Sequence, residues 1–214
     1  MSEAATKPDI VVGVDGSDES FAALKWALEE ASLTGQSVNA VFGWTHSWDM
    51  GSEPDSDEAW AKVRHDIANG LRVWVAKAAA GHDAVVSAYN PGWENPNIHD
   101  EFLTGTRNII DGTKAAGVRR FLMVGGAGSL FVAPGVQLVD TPQFPAEWKQ
   151  GALAAREALN WIRTENTLDW TFLSPPILLQ PGERTGQYRL GDEAPLLNGE
   201  HPGSISVADL AVAI

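Results

Sequence analysis

The stretch DIVVGVDGSDES, at residues 9–20, decides the fold of this chain. Three β-branched residues run into Gly13 and Gly16, and an apolar pattern of helical period begins directly after them. A strand, a glycine turn and a helix start in this order are typical of the first βα unit of a parallel α/β protein. The backbone N–H groups of such a turn favour phosphate, although glycine also simply permits a tight turn without any ligand.

Strand and helix patterns keep alternating along the rest of the chain. We predict strands at residues 10–14, 37–43, 84–89, 120–124 and 170–174, and helices at residues 18–33, 57–79, 96–116 and 146–165. This alternation predicts an α/β fold, a single doubly wound three-layer domain over residues 1–214. Right-handed crossovers favour a parallel five-stranded sheet of order 2-1-3-4-5, as in flavodoxin-like and Rossmann-like folds.

The segments outside this alternation carry weaker patterns. Residues 130–145 are expected to form a long loop, and residues 186–197 a short hairpin. Ser206 is expected to cap a last helix, and its apolar residues are expected to be exposed near the chain end: Leu210, Val212 and Ile214.

The strand order predicts where a ligand would bind. A crevice forms at the carboxyl ends of the strands where the chain order reverses, here between strands one and three. The residues that we expect to bind a cofactor there are Gly13, Asp15, Gly16, Ser17, Tyr89, Asn90, Pro91, Gly125 and Gly126.

The amino-acid composition limits the classes of partner that we expect the protein to bind. The formal net charge of −13 repels phosphate backbones, so a nucleic acid partner is not expected, whereas a small nucleotide is compatible with local backbone donors. No apolar run reaches the roughly 18 residues of a membrane span, so no membrane partner is expected. The chain has no cysteine, which fits a cytoplasmic location. The sequence carries no signal for an oligomeric state.

Two families share the sequence between them. Residues 1–79, which include IVVGVDGSDESFAALKWALEEA and SVNAVFGW, resemble the first half of a universal stress protein. Residues 80–214 are similar to an atypical short-chain dehydrogenase of the NmrA-like, NAD(P)-binding group. The segments that carry this second resemblance are NIIDGTKAAGVRRFLMVGGAGSL, LDWTFLSPPILLQPGERTGQYRLG and SISVADLAVAI.

Each resemblance implies a nucleotide site that is incomplete here. The stress-protein resemblance implies ATP bound with Asp15, but the late glycine loop of that family belongs to the half that is absent. The dehydrogenase resemblance implies G-x-x-G-x-x-G after strand one for NAD(P), whereas Gly13 and Gly16 are followed by Glu19. Either cofactor, NAD(P) or ATP, is therefore an expectation from one half of the chain only.

This mismatch suggests a chimera joined near residues 79–81. The first hypothesis is a hybrid that binds nucleotide weakly and lacks efficient catalysis. The second is an NAD(P)-dependent oxidoreductase of the flavin-reductase kind, since hydride transfer depends mainly on cofactor positioning. The third is an ATP-binding stress-type module.

Candidate catalytic groups are few. The resemblance gives Ser129 the place of a serine that hydrogen-bonds a substrate carbonyl, while turn capping is the alternative. Its usual Tyr-x-x-x-Lys partner is absent, because Tyr89 and Tyr188 are the only tyrosines and neither has a lysine four residues later. No metal site is expected, since the histidines show no ligand spacing. The tryptophans Trp148, Trp161 and Trp170 fit core positions, with a flavin platform as the alternative.

Overall fold

The computed structural model describes part of the chain in full detail. The described residues are 10–14, 23, 26–27, 29–31, 33–34, 38–42, 56, 58–59, 62, 65, 70–73, 75–76 and 79–214. The strands are β1 (Ile10–Val14), β2 (Val38–Phe42), β3 (Ala84–Ser87), β4 (Arg120–Val124), β5 (Phe131–Ala133), β6 (Val136–Gln137), β7 (Asp169–Leu173), β8 (Leu178–Gln180), β9 (Leu197–Asn198), β10 (His201–Pro202) and β11 (Ser204–Ser206). The helices are α1 (Ile98–Ala115), α2 (Ala146–Ile162) and α3 (Val207–Ala213), and described residues at 23–34 and 58–76 are also helical.

The main sheet is built from strands that all run the same way. Its hydrogen-bonded order is β2-β1-β3-β4-β7, with parallel pairing at each step. Val12 of β1 pairs with Val86 of β3, which in turn pairs with Leu122 of β4. The predicted α/β fold with a parallel sheet is confirmed.

Helices cover both faces of this sheet. Side chains alternate between the faces of a strand, so Val12 and Leu122 lie on one face and Val85 and Phe121 on the other. On the first face Val12 is buried with Ala27 of the first helical segment. On the second face Phe121 is fully buried among residues of α1, α2 and the helical segment at 70–76. The two apolar clusters are what hold the layers together.

The charge pattern of α1 favours its helical state. Asp100 and Glu101 lie in the first turn and Lys114 in the last, which complements the helix dipole at both ends. Gly117 follows the helix with φ of +75°, a left-handed conformation that favours glycine and stops the helix. The helix therefore occupies residues 98–115, within the predicted range of 96–116.

Some local predictions were wrong. The expected long loop at residues 130–145 contains the antiparallel pair of β5 and β6 and a 3-10 turn at Leu138–Asp140. The expected hairpin at residues 186–197 is not formed, and the antiparallel pair lies later, at β9 and β10. Leu210 is buried rather than exposed, because α3 turns that residue inward.

The predicted cap of the last helix is confirmed. The Ser206 hydroxyl accepts a hydrogen bond from the backbone N–H of Asp209 at 2.9 Å. Among the helices of the described residues, none has the length and apolar character needed to cross a bilayer.

Replacing Phe121 tests the second apolar cluster. Phe121→Ala should lower the free energy of unfolding by about 3–5 kcal/mol, because it removes a large ring from a closely packed site. Urea denaturation measures this change. The control is Leu33→Ala, since Leu33 is 80% exposed and its removal should change the free energy by less than about 0.5 kcal/mol. Equal effects of the two substitutions would contradict the packing described here.

An ion pair joins the C-terminal end of α1 to the segment between α2 and β7. Lys114 at the end of α1 donates to the Glu165 carboxylate at 2.5 Å, and Thr167 donates to it through its hydroxyl and its backbone N–H. These bonds lower the pKa of Glu165 from 4.5 to about 2, with Lys114 the largest cause. The carboxylate therefore stabilises the fold above pH 4.5.

This contribution should be lost as the pH falls from about 4.5 to about 2. Glu165→Gln should remove that part of the pH dependence and leave the rest of the profile unchanged. Unfolding at a series of acid pH values measures the difference. An unaltered acid slope in Glu165→Gln would show that the pair does not contribute.

Candidate active site

The carboxyl edge of the sheet brings together the segments that follow β3, β4 and β7. Tyr89, Asn90 and Pro91 follow β3, and Gly125 and Gly126 follow β4 directly. Because neighbouring strands are parallel, their ends meet at one edge, where open α/β sheets bind ligands. The structure thus places these five sequence-predicted residues in adjacent segments.

The side chain of Tyr89 packs against α1. A Cβ added at Gly105 of α1 would stand 2.3 Å from the Tyr89 ring, so this glycine makes room for it. The Tyr89 hydroxyl donates to the carbonyl oxygen of Glu101 at 3.3 Å. Burial raises the pKa of the Tyr89 phenol well above its ordinary value, and the charge of Glu101 raises it further. This tyrosine is held as a neutral donor.

Side chain to backbone bonds fix the turn after β3. The Asn90 Oδ1 accepts the backbone N–H of Gly92 at 2.8 Å, and the carbonyl oxygen of Pro91 accepts from the Asn95 amide at 3.3 Å. Gly92 has φ of +100°, which favours glycine. The same Asn95 amide donates to the Glu101 carboxylate at 2.6 Å, so the turn is tied to the start of α1.

The two glycines after β4 have different surroundings. A Cβ at Gly125 would stand 2.0 Å from the ring tip of Phe172 in β7, so only glycine fits beneath that ring. A Cβ at Gly126 would meet nothing within 4 Å. Gly126 therefore borders open space, into which a ligand can approach the backbone closely.

Ser129 lies in a 3-10 turn at Ala127–Ser129 and is buried. Its hydroxyl donates to the carbonyl oxygen of Gly126 at 3.1 Å, which is the turn-capping role that the sequence offered as the alternative. Its Oγ also lies 3.3 Å from the Oγ of Ser174, one residue past the end of β7. Sequence reasoning missed Ser174. The signal was its place between a strand and the Pro175-Pro176 pair.

A cavity of about 590 Å³ opens beside this serine pair. It runs along β7, between α2 and α3, and residues 187–196 form its outer side. Apolar Leu159, Phe172 and Leu210 line it together with the hydroxyls of Ser129 and Ser174. The lining is mixed, since charged residues such as Arg163 and Glu193 also border the cavity, and a concave site with convergent polar groups is a candidate small-molecule site.

Polar contacts hold the outer side of the cavity in place. Asp209 of α3 accepts the backbone N–H groups of Thr185 and Gly186, and also the Thr185 hydroxyl. These bonds, led by the Thr185 hydroxyl, keep the pKa of Asp209 below its ordinary value. Further along, the carboxylate of Glu193 pairs with Arg163 of α2, and its carbonyl oxygen accepts from the N–H of Phe131 at 2.7 Å.

The remaining sequence-predicted positions belong to the first strand and its turn. Gly13 lies in β1, in register with Val41 of β2. Asp15, Gly16 and Ser17 lie outside the described residues. Within the described part of the chain there is no group of three potential metal ligands.

Comparison with known proteins assigns the chain to a family. Residues 63–214 match the family described as NAD(P)H-binding, which is more than half of the chain. The chain belongs to the NAD(P)H-binding family. The NAD(P)H-binding match covers both α1 and α2, the serine pair and the cavity, whereas Gly13 and the positions that follow it lie outside this match.

A second family matches the opening of the chain. Residues 8–92 match the universal stress protein family. The resemblance to both families is therefore confirmed, and the two matches share residues 63–92. The junction near residues 79–81 lies within that shared span and stays a prediction.

Solved structures of similar proteins have the same fold along nearly the whole chain. A protein of Bacteroides thetaiotaomicron, named as a candidate epimerase, is 37% identical, with a TM-score of 0.74 over 97% of this chain and 89% of that one. A Streptococcus pneumoniae protein, named as a candidate NADH-flavin reductase, is 28% identical, with a TM-score of 0.69 over 96% of this chain and 90% of that one.

A curated relative matches a shorter part. The uncharacterised Bacillus subtilis protein YwnB is 39% identical over 135 residues, which is 62% of this chain and 62% of the relative. The matched segment thus spans less than two thirds of that relative.

The two glycines after β4 should respond differently to substitution. Gly125→Ala should lower the free energy of unfolding by about 1–3 kcal/mol, because the new Cβ displaces the Phe172 ring. Gly126→Ala, the matched control, adds a methyl group in open space and should change it by less than about 0.5 kcal/mol. Thermal and urea unfolding of both variants give the comparison. A more destabilising effect at Gly126 would show that the described glycine turn is wrong.

Proposed function

We propose that this protein is an NAD(P)H-dependent oxidoreductase that reduces a small planar acceptor, such as a flavin or a quinone. The observation that carries the proposal is the pair of facing serines, Ser129 and Ser174, which both line the cavity beside β7. The family match supports the cofactor, and the Streptococcus relative supports the kind of acceptor. The serines supply hydroxyl groups, and the cavity has room for a ring system.

The cofactor would lie across the carboxyl ends of the strands. With the strand order 2-1-3-4-5, the chain order reverses between β1 and β3, and a nucleotide would bind there. Gly126 fits this role because the space next to it is open, so the backbone is accessible to a ligand. Backbone N–H groups of the first turn, at Gly13, Gly16 and Ser17, would hold the phosphates, and Asp15 would border the cofactor as an acceptor. The backbone at Tyr89, Asn90, Pro91, Gly125 and Gly126 would border the rest of the cofactor.

NAD(P)H supplies a hydride, with its two electrons, when it is bound. The acceptor also takes one proton from water, which completes a two-electron reduction. Ser129 donates to the Gly126 carbonyl, which leaves the Ser174 hydroxyl as the donor to Ser129 Oγ. A carbonyl oxygen that enters the cavity would accept the hydrogen bond of the Ser174 hydroxyl instead, and Ser174 would keep its proton. The two hydroxyls orient the acceptor, and neither titrates near neutral pH.

The absence of a Tyr-x-x-x-Lys pair favours a flavin or a quinone as the acceptor. Reduction of an ordinary ketone needs a positioned acid for the developing alkoxide, and neither tyrosine of this chain has the lysine that would tune it. A flavin or quinone delocalises the negative charge over its own ring, so a neutral hydroxyl donor is sufficient. This acceptor class therefore matches the groups that the chain provides.

The sequence also led to a rival hypothesis, in which the hybrid opening weakens nucleotide binding and leaves little catalysis. A cytoplasmic location stays a prediction. ATP has no support beyond the match of Asp15 to the stress-protein opening. Calorimetric titration with NADPH, NADH and ATP separates three hypotheses: the oxidoreductase, the weakly binding hybrid and the ATP-binding module. Binding of ATP alone would overturn the proposal.

Removing the Ser174 hydroxyl tests the serine pair. Ser174→Ala should lower kcat/KM for NADPH-dependent reduction of riboflavin or menadione by about 2- to 10-fold, the effect of one neutral hydrogen bond. The loss of NADPH absorbance measures the rate. Ser174→Thr keeps a hydroxyl and should retain most of the activity. Activity unchanged in Ser174→Ala, or absent in the wild-type protein, would contradict the proposed role.

A further inference from the structure

A polar network outside the cavity reaches the backbone of Ser129. Gln137, in β6, donates from Nε2 to the Ser129 carbonyl oxygen at 2.8 Å, and its Oε1 accepts from Nη1 of Arg156 in α2 at 3.3 Å. The same guanidinium nitrogen donates to the two carboxylate oxygens of Asp140, at 2.8 and 2.7 Å. Gln137, Arg156 and Asp140 do not line the cavity, so the network contacts the serine from outside it.

The two partners of Gln137 fix the direction of its amide group. An amide offers an acceptor at one end and donors at the other, whereas a guanidinium carries only donors. Arg156 therefore selects the oxygen end of Gln137, and the amino end faces the Ser129 carbonyl. Asp140 holds the guanidinium in turn through both of its carboxylate oxygens. Gln137 is thus held as a donor to the Ser129 backbone.

Hydrogen bonds hold both backbone polar groups of Ser129. Its N–H donates to the Gly126 carbonyl at 3.4 Å, and its own carbonyl accepts from Gln137. Ser129 is only 5% exposed, so water has little access to replace the Gln137 amide there. A serine hydroxyl is two bonds from Cα, so a fixed backbone leaves Oγ only a few staggered positions. In the position taken, Oγ lies 3.3 Å from the Oγ of Ser174.

Helix α2 supports the Ser129 turn through a second contact. Ala152 lies four residues before Arg156, so the two share one helix face. The Ala152 methyl group lies 3.0 Å from where a Cβ of Gly128 would stand, which means that the helix packs directly on the turn. Trp148, four residues earlier on this face, is 50% exposed, which corrects its expected core position. The helix therefore supports the turn by an apolar contact at Ala152 and by a polar one through Arg156.

We propose that Gln137 is a positioning residue for the serine pair, with Arg156 and Asp140 holding its amide in place. This inference rests on the proposed function and adds the group that sets the geometry of acceptor binding. Gln137 contacts neither the acceptor nor NAD(P)H. It acts through the Ser129 backbone, and so it sets the separation of the two hydroxyls from outside the cavity.

Two substitutions at Gln137 separate its donor from its acceptor. Gln137→Glu keeps an oxygen for Arg156 but loses the donor to Ser129, and Gln137→Met keeps the side-chain length and loses both. Each should lower kcat/KM for menadione in the NADPH-dependent reaction by about 2- to 10-fold, the effect of one hydrogen bond, and leave the KM for NADPH unchanged. The matched control is Gln150→Met, since Gln150 is exposed on the same helix as Arg156, and it should keep the wild-type rate.

A double-substitution cycle distinguishes positioning from a general effect on folding. In a Ser174→Ala background, Gln137→Met should change kcat/KM by less than about 2-fold, because the contact that Gln137 positions is already lost. Losses that multiply would show that Gln137 does not act through the serine pair and would overturn the inference. Unfolding temperatures show which variants are folded, and Gln137→Glu, which keeps the Arg156 contact, takes the place of Gln137→Met in the cycle if the latter is unfolded.

The separation of the two serines can be measured without turnover. Crystal structures should show the Ser129 and Ser174 Oγ atoms 3.3 Å apart in the wild-type protein and beyond hydrogen-bond distance in Gln137→Glu. An unchanged distance in the variant overturns the inference even if NADPH reduces menadione. A lost contact in a protein that does not oxidise NADPH supports the inference, while the proposed function fails by itself.

Discussion

The candidate site depends on the close approach of β4 and β7 just past their carboxyl ends. The ring of Phe172 occupies the space beside Gly125 where any other residue would place a Cβ, and Gly125 donates its N–H to the Leu173 carbonyl at 2.9 Å. This contact extends the parallel pairing by one residue beyond β4. It brings the Ser129 turn and Ser174 together, which no local sequence pattern specifies. The serine pair and the cavity mouth both follow from it.

Backbone hydrogen bonding between parallel strands also explains how segments that resemble two families can share one sheet. Parallel pairing requires matching hydrogen-bond register but places no demand on a common origin of the strands. Val12, in the part of the chain that the stress-protein match alone covers, pairs with Val86, which both matches cover, and both present β-branched side chains to the same face. The opening βα unit can therefore be exchanged while the later strands keep their cavity. What such an exchange changes is the first turn, where a nucleotide would be bound.

Much of the fold could be predicted from local pattern alone. The strand at residues 120–124 and the start of α2 at Ala146 agree with the sequence, because a short apolar run before glycines and a proline before a helix are strong signals. Residues 130–145 could not be predicted, since the pairing of β5 with β6 involves only a few residues and little apolar contrast. The exposure of Trp148 also escaped prediction: helical periodicity gives its face, but only the tertiary packing of Gly151 and Ala152 shows what that face meets.

The outer and inner sides of the cavity are held in place by different kinds of interaction. Leu159 and Leu210 on the inner side are held by apolar burial, whereas the segment at residues 187–196 is almost entirely exposed. It is fastened instead by the pair of Glu193 with Arg163, and the Asp209 bonds hold Thr185 and Gly186 just before it. Interactions between exposed charges weaken as ionic strength rises, while apolar burial does not. Salt therefore screens the pair of Glu193 with Arg163 on the outer side of the cavity, while the packing of Leu159 and Leu210 on the inner side does not depend on it.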